Sequence, residues 1–257
     1  MKKIIKLLLA LAAFAIITAS AACNKGGDSE SSLSEATNNT VSPPVTAETR
    51  KGNEFKNVKV GDYIFFGEYE QDNDTSNGKE DIEWLVLDKQ DNKALVISKY
   101  GLDCQQYNDI AYIDATWETC MLRRWLNEKF LNNAFSTEEQ ILIQSTTVTA
   151  DKNPEYNTSP GDDTTDKLFL LSIMEVEKYL STESARECWV TEYCFKHGVP
   201  SYGSPDNGAS YWWLRSPGRG SHTAAGVMGG GYIDYEGSEV FLSNVVVRPA
   251  MWISLEP

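Results

Sequence analysis

Two arginines close to prolines have side chains that could either hold a ligand or fix a turn. Arg215 lies in the run YWWLRSPG at residues 211–218, and Arg248 lies in the run VVVRPAMW at residues 245–252. An arginine can clamp a carboxylate through two parallel hydrogen bonds. It can also stack on a tryptophan ring and bond to loop carbonyls, which fixes a turn. The nearby prolines favour the structural role, and the predicted structural motif is Trp212, Trp213, Arg215 and Arg248.

Motifs for catalysis are missing from the rest of the chain. His197 and His222 are the two histidines, so a histidine-rich metal site is excluded. The sequence lacks the serine-hydrolase, zinc-protease and phosphate-loop patterns. The polar loop at residues 72–78 resembles a calcium loop, but its glycine comes one position late and no glutamate closes it. We therefore predict no catalytic residues, no metal and no cofactor.

The charge of the chain bears on its partners. The 257 residues include 37 acidic and 23 basic side chains, for a formal net charge of −14 at pH 7. Such a charge repels phosphate backbones, so we predict no nucleic-acid partner. It could attract divalent cations or basic proteins, and it also simply favours solubility.

The N-terminus has the pattern of an export signal. Three lysines in the first six residues precede an apolar stretch at residues 7–17, which is too short to span a bilayer comfortably. Small residues at 19–22 then lead to Cys23, as in bacterial lipoprotein signals. We predict a signal at residues 1–22 and lipidation of Cys23, which would anchor the protein in the cell envelope. Ordinary cleavage after Ala22, leaving a free thiol, is the alternative.

A flexible tether and a single folded domain are predicted to follow the signal. Residues 23–53 are rich in Ser, Thr, Asn, Glu and Pro and have few apolar side chains, so they cannot offset the chain entropy lost on folding. From residue 54 to residue 257 the chain mixes strand and helix patterns without regular alternation, which indicates an α+β domain.

Strand patterns occur at both ends of this domain. We predict strands at residues 60–67 and 167–171, and a hairpin of residues 82–88 and 94–98 that is covered on both faces. A strand at 232–235 is expected to end in a turn at 236–238. The segments 211–218 and 245–252 are predicted to form the floor of the domain.

Helix-capping residues predict four helices in the middle of the chain. The predicted helices are residues 116–130 capped by Thr116, a helix from the capping box at Ser136 to about Ile143, one that begins at Ser172, and one from Ser184 to His197 and Gly198.

Several motifs together resemble an uncharacterised bacterial extracytoplasmic domain family. They are FFG at 65–67, IEWLVL at 82–87, LRRWLN at 122–127, WLRSPG at 213–218 and VRPAMWI at 247–253. The match covers roughly residues 54–257. The resemblance implies a C-type-lectin-like mixed sheet with several short helices, a fold also found in formylglycine-generating enzymes. Members of the family often occur on lipoproteins, and the resemblance implies no reaction.

The related proteins bind copper or calcium, and this sequence matches neither pattern well. Formylglycine-generating enzymes bind copper through a C-terminal cysteine pair, whereas here Cys188 and Cys194 precede the WLRSPG motif. If residues 185–197 are helical, six residues rise about 9 Å, which is too far for a disulfide or a joint site. Calcium-dependent lectins use a Glu-Pro-Asn-like triplet, and residues 204–207 match it only weakly.

Four further cysteines besides Cys23 allow disulfides in an exported protein. Cys104 with Cys120 is one candidate bridge, and the sequence does not choose among the three full pairings of Cys104, Cys120, Cys188 and Cys194. Buried free thiols are an equally good interpretation.

The sequence therefore predicts a lipid-anchored extracytoplasmic binding module without catalysis. Its ligand is expected to be a glycan, a peptide or a protein, met by the loops between residues 198 and 243. The predicted contacts are Tyr202, Tyr232 and Tyr235, because tyrosines combine an apolar ring with a polar hydroxyl. The alternatives are a copper- and oxygen-dependent oxidoreductase of the formylglycine-generating kind and an envelope structural protein.

Overall fold

Strands and short helices follow one another irregularly along the chain in the computed structural model, which describes residues 55–198 and 208–256. The strands are β1 (Tyr63–Tyr69), β2 (Glu80–Gln90), β3 (Lys93–Ser98), β4 (Asp103–Cys104), β5 (Thr146–Val148), β6 (Thr164–Asp166), β7 (Leu168–Phe169), β8 (Trp212–Pro217), β9 (Thr223–Val227), β10 (Ile233–Glu239), β11 (Val246–Val247) and β12 (Ala250–Ser254). The helices are α1 (Met121–Trp125), α2 (Leu131–Ala134), α3 (Thr137–Leu142), α4 (Ile173–Tyr179), α5 (Glu183–Arg186) and α6 (Glu192–His197).

The described strands form two five-stranded sheets and one two-stranded ribbon. The first sheet has the order β1-β2-β3-β12-β7 and is antiparallel throughout. The second sheet has the order β10-β9-β8-β11-β4 and is mixed, because β11 runs parallel to β8. The ribbon pairs β5 with β6. This arrangement, with its short helices, confirms the predicted α+β class with a mixed sheet.

The predicted hairpin is the middle of the first sheet. β2 and β3 pair from Trp84 opposite Ser98 to Gln90 opposite Lys93. Val86 and Leu95 are both buried, and β3 is buried along nearly its whole length, as predicted. The β2 strand differs from the prediction, because its side chains alternate between buried and half-buried positions. One face of β2 is therefore only partly covered.

The two arginine-containing segments enter the sheets differently. β8 lies inside the second sheet, with Trp212 and Trp213 fully buried. The later segment begins as β11 in the same sheet, where Val246 pairs with Trp212 and with Cys104. After Arg248 it continues as β12 in the first sheet, between β3 and β7. The second segment therefore connects the two sheets, whereas the sequence predicted that both segments form one floor of the domain.

The predicted helix at residues 116–130 begins later than expected. Its N-cap is Cys120, because residues 116–120 are occupied by a turn in which Cys120 N–H donates to the Thr116 carbonyl. α1 then continues through a π-helical turn at Leu126–Phe130 into α2. The wide turn keeps Leu126 and Phe130 in the core.

The capping boxes were better guides to helix starts. The Ser136 and Ser172 hydroxyls each accept a hydrogen bond from the backbone N–H of the third helical residue. The carboxylates of Glu139 and Glu175 accept in turn from the backbone N–H of the capping serine, so both predicted helix starts are confirmed.

Two other local predictions were wrong. The helix expected from Ser184 to Gly198 is interrupted, since α5 is capped by Thr182 and α6 by Thr191. The peptide N–H of Gly101 donates to the Trp189 carbonyl, and this bond from a neighbouring strand end holds the intervening segment out of helical geometry. The turn expected at residues 236–238 is a bulge inside β10, where Gly237 has a φ of 75°.

None of the helices in residues 55–198 and 208–256 has the length and apolar character that a bilayer crossing requires.

Gly67 offers a direct test of how tightly β1 packs on the helices. Its φ is 71°, and an added Cβ would lie 2.5 Å from a ring atom of Phe135 and 2.7 Å from the Ala134 carbonyl oxygen. Gly61 also has a positive φ, 92°, but a Cβ there would meet nothing within 4 Å.

We predict that Gly67→Ala destabilises the protein more than Gly61→Ala. Both changes add backbone strain of about 1 kcal/mol, and only Gly67→Ala adds overpacking of roughly 1–3 kcal/mol. Urea unfolding of both variants measures the difference. Equal losses would show that Phe135 moves away freely and would contradict this packing.

Candidate binding site

A cleft of about 630 Å³ lies where the first sheet meets the segment between α5 and α6. We call it the Arg248 cleft. Its lining includes Tyr63, Lys99, Tyr100, Glu187, Trp189 and Arg248. These residues come from β1, from the end of β3, from the α5–α6 connection and from the crossing between β11 and β12. The cleft therefore depends on tertiary contacts among four separate parts of the chain.

The backbone around Arg248 is held on both sides. The Ser98 N–H donates to the Pro249 carbonyl at 2.9 Å, which attaches the crossing to the end of β3. The Leu102 N–H donates to the Val247 carbonyl at 3.1 Å, which attaches it to the start of β4. Lys99 and Tyr100 lie between these two attachments, and both line the cleft.

Arg248 is a buried cation whose described partners are neutral. It is 4% exposed, and its Nε donates to the Ser98 carbonyl at 3.0 Å while Nη1 donates to the Arg186 carbonyl at 3.4 Å. Its Cζ lies 5.1 Å from the centre of the Trp212 ring. Within residues 55–198 and 208–256 no carboxylate forms an ion pair with it, and no hydrogen bond uses Nη2. Burial lowers the pKa of Arg248 from its ordinary value.

Exposed rings form the rim of the cleft. Tyr63 is 50% exposed and Trp189 is 42% exposed. The Lys99 ammonium lies 5.1 Å from the ring centres of both Tyr63 and Tyr100. Lys99 also forms a 2.7 Å ion pair with Glu83, and this hydrogen bond raises the pKa of Lys99. The rim thus offers the faces of aromatic rings beside the Lys99 ammonium, whose charge is compensated by Glu83.

Arg215 has the opposite environment. Its guanidinium is 3% exposed, pairs with Asp151 at 3.1 Å and forms a second ion pair with Glu175. It also donates to the carbonyls of Leu170 and Thr149. The Glu175 oxygen that it contacts is the one that closes the capping box of α4. Arg215 therefore fastens β8 to the start of α4 and is not available to a ligand.

The tyrosines predicted as ligand contacts lie elsewhere. Tyr232 is 58% exposed and precedes β10, and Tyr235 donates to Glu177 at 2.7 Å. Burial and the neighbouring Glu177 raise the pKa of Tyr235 to about 12. Neither tyrosine belongs to the lining of the Arg248 cleft. Tyr202 and Cys23 lie outside the described residues.

The cysteines are not arranged as the candidate bridge between Cys104 and Cys120 requires. Cys120 is the N-cap of α1, where its Sγ accepts from the Arg123 N–H. Cys104 lies instead beside Cys194, with 3.2 Å between the two Sγ atoms. The Sγ of Cys188 contacts the Trp189 carbonyl. All four thiols are free and buried.

A second, smaller cleft contains a buried carboxylate. Asp103 is 5% exposed and accepts bonds from the Tyr69 hydroxyl at 2.5 Å, from the Cys104 N–H and from the Gln105 amide. Burial raises the pKa of Asp103 despite these three bonds. The carboxylate is thus satisfied by fixed donors of its own chain, which is the pattern of a structural acid.

One group of acidic side chains converges within the part of the chain that the structure describes. Carboxylate oxygens of Glu70, Asp72 and Glu80 lie within 4.8 Å of one another. Partial burial and the neighbouring carboxylates of Glu80 and Asp72 raise the pKa of Glu70. Asp72 already accepts from the Asp74 N–H and the Asn77 amide. We assign no ion to this exposed cluster.

Comparison with known proteins adds a family. A model described as a domain of unknown function, DUF6273, matches residues 91–255, which is more than half of the chain. The chain belongs to the DUF6273 family. Neither a curated protein nor a solved structure gives a significant match. This match confirms that the chain belongs to an uncharacterised family. The motifs at residues 65–67 and 82–87 lie outside the matched range, and the description of the family names no activity.

Four residues that line the cleft of this DUF6273 member were not predicted from the sequence. Tyr63 begins a strand, Lys99 and Tyr100 directly follow one, and Trp189 lies in a segment predicted to be helical. The only signal in the sequence was the position of Lys99 and Tyr100 between a buried strand and Gly101, where a chain leaves a sheet.

We predict that Arg215→Ala destabilises the protein by about 3 kcal/mol, because it leaves two partly buried carboxylates without their common cation. Arg219→Ala is the matched control. Arg219 pairs with Glu236 at 3.4 Å, and both side chains are more than 60% exposed. Its loss should cost less than about 0.5 kcal/mol. Urea unfolding compares the two, and similar losses would contradict the fastening role of Arg215.

Proposed function

We propose that the protein is a lipid-anchored extracytoplasmic binding module that holds a carboxylate-bearing ligand in the Arg248 cleft. The observation that carries the proposal is a buried guanidinium at an open cleft whose described partners are backbone carbonyls. Removing a charge from water is costly unless an opposite charge compensates it. A bound carboxylate would supply that compensation, since a guanidinium binds carboxylates in a bidentate geometry.

The rim supports an acidic sugar as the ligand. Tyr63 and Trp189 both line the cleft and expose about half of their surfaces. Flat aromatic faces of this kind cover the apolar faces of sugar rings, while hydroxyl groups remain free to hydrogen-bond at the rim. Glu187 also lines the cleft and offers an acceptor for such hydroxyls. The ligand class is therefore an oligosaccharide that contains a uronic acid.

The net charge of −14 does not oppose this assignment strongly. Charges separated by more than about 8 Å are largely screened at physiological ionic strength. Contacts inside the cleft are screened much less, so the local cation decides the interaction. A consequence is that affinity depends on Arg248 more than on the overall field of the protein.

The proposed location of the protein in the cell envelope depends on the sequence of its N-terminus. The export signal and Cys23 support a lipid anchor, and the polar residues 23–53 support a tether that holds the domain away from the membrane. The C-type-lectin-like relationship implied by the sequence motifs is also part of this proposal. It is compatible with a binding role, because such folds use loops beside a sheet to meet ligands.

We predict that oligogalacturonate binds the purified full-length protein, whereas a neutral hexose oligosaccharide of the same length does not. Isothermal titration calorimetry at millimolar ligand measures both. Arg248→Lys keeps the charge but loses the planar fork, and we expect an affinity loss of at least about tenfold. Trp189→Ala should weaken binding by a similar factor because a stacking surface is lost.

Tyr232→Ala is the control for this experiment, because Tyr232 is exposed but lies outside the cleft lining. Its affinity should equal that of the unaltered protein. If Tyr232→Ala loses binding while Trp189→Ala keeps it, the site belongs to the loops before β10 and the cleft assignment is wrong. Equal binding of the neutral sugar would contradict the role of the carboxylate.

We also predict that Cys23→Ala yields a soluble protein that carries no lipid. The physical reason is that the acyl chains supply the membrane affinity, at about 0.8 kcal/mol for each buried methylene. Detergent partitioning and mass spectrometry of the N-terminal peptide measure the change. Unaltered partitioning into the detergent phase would contradict the anchor.

A further inference from the structure

Two thiols from distant parts of the chain touch each other in the core. Cys104 ends β4, Cys194 lies in α6, and their Sγ atoms are 3.2 Å apart. Cys104 Sγ also lies 3.6 Å from the Cys194 carbonyl oxygen. Cys194 is fully buried and Cys104 is 7% exposed. The Sγ atoms of Cys120 and Cys188 form their hydrogen bonds with backbone groups instead.

The positions of β4 and α6 are determined by independent bonds. β4 pairs with β11, with Val246 opposite Cys104 and Val247 opposite Asp103. The segment before α6 is attached to the chain just before β4, because the Thr191 N–H donates to the Gly101 carbonyl at 3.1 Å. The backbone thus brings the two cysteines together without any sulfur–sulfur bond. A disulfide would therefore add a covalent bond between elements that are already in contact.

We propose that Cys104 and Cys194 form a disulfide, and that this pair is the redox-sensitive modification site of the protein. A disulfide joins sulfurs at about 2.0 Å, so closing this one requires the Sγ atoms to approach by about 1 Å. Rotation about the two side-chain torsions produces such a movement. Cys120 and Cys188 are engaged elsewhere, at the α1 cap and at the Trp189 carbonyl. They remain free thiols.

The oxidation is a two-step exchange with an external disulfide, X–S–S–X, supplied by a small-molecule disulfide or a protein thiol oxidase. Cys104, the more exposed of the two, loses its proton and attacks one sulfur of X–S–S–X, which releases the first X–SH. The thiolate of Cys194 then attacks the Cys104 sulfur of the mixed disulfide and releases the second X–SH. Two electrons and two protons pass from the two cysteines to the external disulfide. The products are one internal disulfide and two external thiols.

The bond would close a large loop of the chain. The two cysteines are 90 positions apart, and the loop includes the α1–α2 helices, the β5–β6 ribbon and α4. Closing a loop of this length restricts the unfolded chain strongly. The bond would also hold the segment that carries Trp189 against β4, so oxidation would stiffen one wall of the Arg248 cleft. The disulfide itself does not depend on what the cleft binds.

Thiol alkylation with mass spectrometry tests the pairing. The full-length protein is equilibrated with oxidised glutathione, denatured in the presence of an alkylating agent and digested. We expect a peptide cross-linked between Cys104 and Cys194, with Cys120 and Cys188 alkylated. Alkylation of all four cysteines, or a cross-link that involves Cys120 or Cys188, would overturn the proposal.

Thermal unfolding with and without a reductant gives a second readout, which separates the bond from core packing. Reduction should lower the Tm of the unaltered protein by about 5–15 °C. This reductant-dependent shift should vanish in Cys104→Ser and in Cys194→Ser, and it should persist in Cys120→Ser and Cys188→Ser. The absolute Tm of any variant can change through packing. A shift that survives in Cys104→Ser contradicts the pair even if that variant is less stable.

Discussion

The crossing of the chain between its two sheets is the constraint on which the rest of the structure depends. β11 belongs to the second sheet and β12 to the first, and the chain passes between them at Arg248 and Pro249. Proline has no N–H to satisfy, and its rigid φ suits a segment that leaves one ladder and enters another. The guanidinium donates to the Ser98 carbonyl at the end of β3 and to the Arg186 carbonyl in α5, and it lies over the ring of Trp212 in the second sheet. The crossing holds the sheets together and leaves a cation between them.

The two buried arginines show how similar sequence contexts acquire different roles. Arg215 finds two carboxylates of its own chain, so its charge is compensated when the protein folds. Among the described residues Arg248 contacts carbonyls and the face of Trp212, so part of its hydrogen-bonding capacity remains there for a ligand. A buried charge without an ion pair costs stability, and such a cost commonly marks a site where a ligand completes the charge balance. The difference gives physical support to a binding role at Arg248.

Local signals predicted much of the secondary structure and failed where contacts from elsewhere competed with them. The boxes at Ser136 and Ser172 identified helix starts because both partners of each bond lie within four residues. The helix expected over residues 184–198 is divided by the bridge between Gly101 and Val190, which joins positions almost ninety residues apart. In β10, Gly237 takes up a bulge rather than a turn, because β9 continues to pair on both sides of it. None of these long-range partners can be read from a single window of sequence.

The sequence alone determined the α+β class, the hairpin of the first sheet, the helices that begin after Ser136 and Ser172, and the membership of an uncharacterised family. These depend on apolar periodicity and on bonds between near neighbours. Only the tertiary structure decided which arginine pairs with carboxylates among the described residues, which cysteines touch, and that Tyr63, Lys99 and Trp189 line one cleft. The reason is that burial and charge pairing are properties of the folded neighbourhood. Residues far apart in the chain meet there only because the chain crosses between the sheets at Arg248.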